Sequence, residues 1–449
     1  MSDVAAKALW VVAAGLVVAV GVVAWDKHGG SRGGGSAAST GSGYAEDGQH
    51  AKPLSEYPER AEIQHAEWVD TFFAFPLAPQ GDPPEGWTEI EASLSPESCM
   101  LCHPVQYADW KESWHADAMS PGTLGQLVDW DGHKDGLVGQ CQTCHAPLAE
   151  QHPKTPVGGE PDEHGHTKAK YIDNPIYDEE LRKKGLVCAS CHVRAHQRSG
   201  PPSESALPEG TPLPHGGFTA VEAYQDSRFC YNCHDFMPHQ KALNGKLLQE
   251  TYEEWRRTSF AEQGTSCQDC HMPEGRHLWK GVHDPDMVRD AIRFEYSLTD
   301  GGAASGQLQA HLKITNIGAG HRLPTYTTPQ ITLILEQVNA QGQVIEGTRE
   351  VGAVGRYIKP DLSKEYFDTR LMPGESHGVE YAQTRHPDAV SLAGRVEVWP
   401  DEAYRRFYEI KLRKPENHPL GKAQLEAALR HCVERQYTVW EETSQLPDG

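Results

Sequence analysis

The chain has 449 residues, more than a single hydrophobic core usually supports, so two or three domains are expected. Its 41 Lys and Arg against 63 Asp and Glu leave a formal charge of −22, which argues against nucleic acid and polyphosphate partners and for a basic or neutral one. Only 38% of the residues are apolar.

Residues 8–25, ALWVVAAGLVVAVGVVAW, carry no charge over 18 positions, which as a helix would span about 27 Å. Trp10 and Trp25 sit near the two ends, where interfacial aromatics are favoured. The run predicts an uncleaved transmembrane anchor within residues 1–28; the alternative is a cleaved signal peptide, whose apolar region is usually about 7–15 residues long. Lys7 on one flank faces Lys27 and Arg32 on the other, so flanking charge does not orient the helix. The stretch 29–43, GGSRGGGSAASTGSG, reads as a flexible tether within a linker over 29–50. Residues 44–98 are rich in Pro and aromatics (Trp68, Phe72, Phe73, Phe75, Trp87) and read as a helix and an extended arm around the domain that follows.

That domain, 51–290, is organised by five C-x-x-C-H stretches: Cys99, Cys102 and His103; Cys141, Cys144 and His145; Cys188, Cys191 and His192; Cys230, Cys233 and His234; and Cys267, Cys270 and His271. A single C-x-x-C is a redox dithiol or half a zinc site. Here all five carry His directly after the second Cys and together use ten of the eleven cysteines. That is the attachment pattern of c-type haem: two thiols bond to the vinyl groups, and the adjacent His supplies the proximal nitrogen to iron. The sequence therefore predicts five covalently bound haem c groups and, because such attachment occurs outside the cytoplasm, an inner-membrane-anchored protein with its haems on the periplasmic side.

Ser95-Pro96-Glu97 reads as a helix N-cap, with the helix running through the first motif to about Met119. The motifs recur every 37–47 residues, which leaves little chain for each haem and forces the porphyrins together. A weak repeat, Tyr107-x-x-Trp110-x-x-Ser113, returns as Tyr252-x-x-Trp255-x-x-Thr258, with His115 of the first copy replaced by Phe260.

After about residue 290 the pattern alternates with period two at Ile292, Phe294, Tyr296 and Leu298 and at Leu308, Ala310, Leu312 and Ile314. Further strands are expected at 331–338, 343–358, 377–384 and 394–399. Together they predict an immunoglobulin-like β-sandwich over 291–415. A helix at Lys422–Glu442, within a terminal segment 416–449, would place Leu425, Leu429, Cys432 and Val433 on one face, with Cys432 a buried free thiol; the alternative for Cys432 is an intermolecular disulfide. The fold class is thus α+β and multidomain: membrane helix, mostly helical pentahaem domain, β-sandwich and terminal helix.

Each iron has a second axial position, and its occupant separates electron transfer from chemistry. Nineteen His lie outside the motifs. His115, His215, His277, His283 and His321 stand out by their settings, followed by His196 and His239 and then His133, His152, His164 and His166; Met119, Met237 and Met272 are thioether alternatives. His321 sits in NIGAGHRLPT, where Gly318 and Gly320 permit backbone conformations other residues avoid.

The stretches CHPVQYADWKESWHADAM, CASCHVRAHQRSGPP, FCYNCHDF, TYEEWRRTSFAEQGTSCQDCHMP, HLWKGVHDPDMVR and NIGAGHRLPT, over about residues 95–335, resemble multihaem cytochromes related to hydroxylamine oxidoreductase and cytochrome c nitrite reductase. The resemblance implies closely stacked, largely His/His-ligated haems, with His115, His215, His277, His283 and His321 as distal ligands. Two departures stand against carrying over catalysis. No motif has the catalytic Lys of the nitrite reductases, and five motifs fall short of the eight of the oxidoreductases. In architecture the chain is also similar to membrane-anchored subunits of quinol-oxidising respiratory assemblies. The expected function is electron transfer between a quinol-linked inner-membrane donor and a periplasmic or extracellular acceptor, with redox proteins as partners, within a larger complex or oligomer. The alternatives are a reductase or oxidase of a small nitrogen or sulfur compound at one open haem, and a structural redox subunit of a respiratory complex or filament.

Overall fold

The computed structural model describes residues 51–446 apart from 59, 61, 129–134, 162–166, 203–213, 239, 301–305, 415, 417, 419 and 420. The chain divides into residues 1–41 and 42–449, and every described residue belongs to the second unit. The anchor expected at 8–25 and the tether at 29–43 lie outside the described residues. Among the described residues no helix is long and apolar enough to cross a membrane.

The motif region is built from short helices, and the motifs themselves explain their length. The second to fifth motif histidines end the helices Asp135–His145, Cys188–His192, Arg228–His234 and Cys267–His271. After the first motif the chain breaks at Pro104, whose ring keeps the residue before it out of helical geometry. His103 accordingly has φ −121°. The helix expected through to Met119 is therefore two, Pro96–Met100 and Pro104–Lys111, followed by turns. Ser95 precedes the first of them but makes no side-chain cap; its hydroxyl is drawn to Glu97, and Lys184 donates to it at 2.8 Å. The aromatic arm does wrap the region: Trp68, Phe72, Phe73 and Phe75 pack around Val69 and reach Phe229 in the fourth motif helix. An antiparallel hairpin, Lys154–Pro161 with Thr167–Asp173, was not legible in the sequence.

The C-terminal region is rich in sheet. One five-stranded antiparallel sheet runs in the order Glu365–Asp368, Glu350–Ile358, Gln330–Asn339, Ala389–Trp399, Tyr437–Gln445. A three-stranded sheet runs Ser376–Thr384, Gln307–Asn316, Ile292–Asp300. The two share one apolar core, with Leu308, Leu312 and Ile314 from one and Ile331, Leu333, Leu335, Val396 and Val398 from the other. The last helix is shorter than expected, Lys422–Glu434, because the β-prone run Tyr437-Thr438-Val439-Trp440 leaves it to become the edge strand. Leu425, Ala428 and Cys432 form its buried stripe, and Cys432 is a free thiol. Val433, one position on and about 100° around the helix, is 47% exposed and lies off that stripe.

Buried charge joins the two regions. Glu254, from the motif region, accepts from Arg370 at 3.0 Å and from Arg322 at 3.3 Å. Arg370 also pairs with Asp368 at 2.8 Å, and Lys246 bonds Asp368 at 2.5 Å and Glu365 at 3.0 Å. Arg356 completes the set with Glu365 at 2.7 Å and with the carbonyls of Leu243 and Lys246.

Candidate haem sites

Two imidazoles on one metal, each nitrogen about 2 Å from it, hold their ring centroids about 6 Å apart. Three motif histidines meet a second ring at that separation. His192 faces His277 at 6.2 Å, His234 faces His115 at 6.3 Å, and His271 faces His321 at 6.3 Å. Their planes cross at 35°, 54° and 14°. In each motif partner Nδ1 is tied off, which fixes the ring and turns Nε2 inward: His192 to the Ser199 carbonyl at 2.7 Å, His271 to that of Lys280 at 2.6 Å, and His234 to the Tyr326 hydroxyl at 2.5 Å. On the opposite side, Nδ1 of His277 bonds the Gly275 carbonyl at 3.0 Å, and Nδ1 of His321 bonds the Arg322 carbonyl at 2.8 Å. Burial lowers His115 to about 3 and His192 and His234 to about 4. All three are therefore neutral at physiological pH, the form that binds a metal.

His145 is tethered in the same way, Nδ1 to the Ala118 carbonyl at 2.7 Å, with the Thr123 hydroxyl at 3.4 Å. Among the described residues no second imidazole stands opposite His145 or His103. His215, expected as a partner, lies in the turn Pro214–Gly216 at φ 47°, with Nδ1 on the Gly217 carbonyl at 3.1 Å. Its amide reaches Glu91 beside the first motif, but it forms no opposed pair. His283 is also unpaired: its Nε2 is engaged by Asp401 at 3.3 Å and its ring lies 3.8 Å from Trp114. His196 and His152 spend Nε2 on the carbonyls of Gly81 and Ala146. Met119 is packed into an apolar cluster with Leu127, Val138 and Ala146. His133, His164, His166 and His239 lie outside the described residues.

The loop of His321 is held differently from expectation. Neither Gly318 nor Gly320 has a positive φ. A Cβ on Gly320 would come within 3.1 Å of the Phe260 ring, and one on Gly318 within 3.0 Å of Ala291, so these glycines serve close packing. Phe260, the residue standing where the repeat had His115, is thus the surface on which that loop rests.

Three further residues orient the axial candidates and carry no spacing signal in the sequence. Asp109 accepts twice from Arg276, at 2.6 Å each, and once from the His277 amide at 3.1 Å. Tyr224 stacks on His192 at 5.2 Å and 7° while its hydroxyl donates to the Cys191 carbonyl at 2.6 Å. Tyr326 reaches His234 across 92 residues.

The motifs touch one another. The Cys144 thiol reaches the Asn232 carbonyl of the fourth motif at 4.0 Å, and the Cys267 amide donates to the Ser227 hydroxyl, just before that motif, at 2.8 Å. The fourth motif therefore borders the second and the fifth. One connected cavity of about 2930 Å³ is lined by all five motif histidines and by His115, His215, His277, His283 and His321. A pocket for one small ligand holds about 300–1,000 Å³, so this cavity suits several large cofactors in contact. The opposed imidazoles, the flanking thiol pairs and the volume fit haem.

The family model for outer membrane cytochromes, MtrC/MtrF-like, domains II/IV, matches residues 125–284. Part of the chain is also similar to cytochrome c-552 of Aliarcobacter butzleri, 33% identical over 92 residues, which are 20% of this chain and 18% of that protein. The chain thus matches less than a fifth of that relative's length. In fold it is similar to a penta-heme cytochrome c552 from Thermochromatium tepidum, with a TM-score of 0.51 and 18% identity over 80% of this chain and 100% of that one. The motif cysteines and histidines would hold haem c, which would supply one-electron iron chemistry when bound; the residues described above orient the imidazoles.

Proposed function

We propose that the chain carries five haem c groups, one on each C-x-x-C-H motif, and passes electrons along them outside the cytoplasm. The observation that carries this reading is the set of three imidazole pairs opening into a single cavity shared by all five motifs. His103, His145, His192, His234 and His271 are the proximal ligands. His277, His115 and His321 are the distal ligands of the third, fourth and fifth haems, and His215, which lines the same cavity as His103 without standing opposite it, is assigned to the first. The membrane anchor at 8–25, a quinol-linked donor and a periplasmic or extracellular acceptor complete the reading. Kinship with the hydroxylamine oxidoreductase and nitrite reductase group belongs to it as well. A haem assay on the purified full chain should give five per polypeptide, mostly low-spin; four or fewer would overturn the count.

A second reading, reduction or oxidation of a small nitrogen or sulfur compound, is favoured by one observation. Among the described residues His145 has no opposing imidazole, and His283 gives its Nε2 to Asp401. A high-spin signal in the resting protein, and CO binding to one haem, would favour it; a wholly low-spin, CO-inert protein would remove it.

A further inference from the structure

Three motif histidines hand Nδ1 to a backbone carbonyl: His145 to Ala118, His192 to Ser199 and His271 to Lys280. His234 hands it to a phenol oxygen instead, that of Tyr326. The two acceptors differ in strength. An amide oxygen carries substantial negative charge and draws the N–H proton, which lends the imidazole some imidazolate character. A phenol oxygen shares a lone pair with its ring and draws the proton less. A less anionic imidazole stabilises the oxidised metal less, and hydrogen bonding to the ligand is one of the levers by which a protein tunes a haem.

Position 326 is built for this contact. Its backbone has φ 66°, a conformation that bulky residues adopt at a cost and that gathers at functional sites. Gln249 and Thr251 line the same cavity as the phenol, and Gln249 donates to the carbonyl of Cys233 in the same motif at 2.8 Å. This motif also touches the second, where the Cys144 thiol reaches the Asn232 carbonyl at 4.0 Å, and the fifth, where the Cys267 amide donates to Ser227 just before the fourth motif at 2.8 Å.

Resting on the haem reading above, we propose that Tyr326, acting through His234, raises the reduction potential of the fourth-motif haem above what a carbonyl partner would give. The haem at the convergence of the motifs then holds an arriving electron longest before it leaves to a neighbour. No bond is made or broken; one electron enters and one departs. Tyr326 is a positioning residue, not a catalytic one.

Tyr326→Phe removes the acceptor oxygen and keeps the ring. In a redox titration of the full holoprotein, the His115/His234 haem should move further upward. Its reduced-to-oxidised ratio at fixed potential should rise about three- to tenfold, with the other haems unmoved and the haem count unchanged. Tyr296→Phe is the control: it deletes a hydroxyl bonded to the Leu392 carbonyl in the sheet region, so every haem should stay in place. An unmoved or falling wave in Tyr326→Phe overturns the proposal, as does an equal shift in Tyr296→Phe. If Tyr326→Phe does not assemble, the wild-type protein decides. The pair crossed at 54° gives a low-spin signal distinct from the pair at 14°, and it should titrate above it. The reverse order overturns the proposal, whereas a wild-type haem count below five strikes the functional reading instead.

Discussion

Asp109 occupies one buried position and holds two groups that bear on the third haem, the Arg276 guanidinium and the His277 amide. Asp109→Ala should free that turn, so that part of one haem's low-spin absorbance is lost while every haem stays attached. A visible spectrum normalised to haem content measures this, and an unchanged low-spin band would refute the role. His321→Ala is the sharper case: one iron should lose its low-spin signature and gain CO binding, again with the full haem count. The motif residues were legible because haem attachment needs fixed local spacing, whereas His321 stood out by its Gly-rich loop. Asp109, Tyr224 and Tyr326 were not, because each acts across a gap in the chain that no local pattern encodes. His283 stood out by its setting, but only the fold brings Asp401 to its Nε2.

At the scale of elements, the alternation of apolar residues placed most of the strands that the structure shows. It missed Tyr437–Gln445, whose outward positions are polar and whose charges, Glu441 and Glu442, suit a helix equally well. Val439 is nearly fully buried in that strand, and Trp440 stacks on Phe294 at 5.7 Å and 7°. Val439→Ala should cost about 1–3 kcal/mol from lost burial and the cavity left behind, lowering Tm by roughly 2–4 °C per kcal/mol. Calorimetry of the holoprotein checks it, and a Tm within a degree of wild type would mean that the strand does not close the sheet. The helix through the first motif failed for another reason: it was read from its start signal at Ser95-Pro96-Glu97, and Pro104 breaks it.

Across the whole molecule, the two regions are joined by charges that sequence could not pair, since Glu254 and Arg370 lie 116 residues apart. Both are almost fully buried. Arg370→Met would leave Glu254 and Asp368 short of a partner and should destabilise by about 3–5 kcal/mol. Burial alone would raise the Asp368 carboxyl, but Arg370 and Lys246 beside it hold it well below the usual carboxylate range. A carboxylate depressed in the folded state stabilises fully above its unfolded value of about 3.9, and that contribution is lost as pH falls below it. The share of stability that this network supplies should therefore be constant from neutral pH to about 5 and fall below about 4, so the gap in midpoint between wild type and Arg370→Met should narrow there. A gap insensitive to acid would show that this network does not join the regions.

The order in which the chain leaves the ribosome gives the loop from His321 to Tyr326 a further meaning. The motif helices are 5–11 residues long, too short to persist alone, so the first two-thirds of the chain takes shape around its cofactors. Yet the partner of His271 and the hydrogen-bond acceptor of His234 come from residues 321 and 326, translated after all five motifs. On the proposed haem reading, a chain halted before them should carry attached iron with an axial place unfilled and a neighbouring imidazole unrestrained. A truncated product should then be marked by its reactivity toward small ligands before its stability is ever tested.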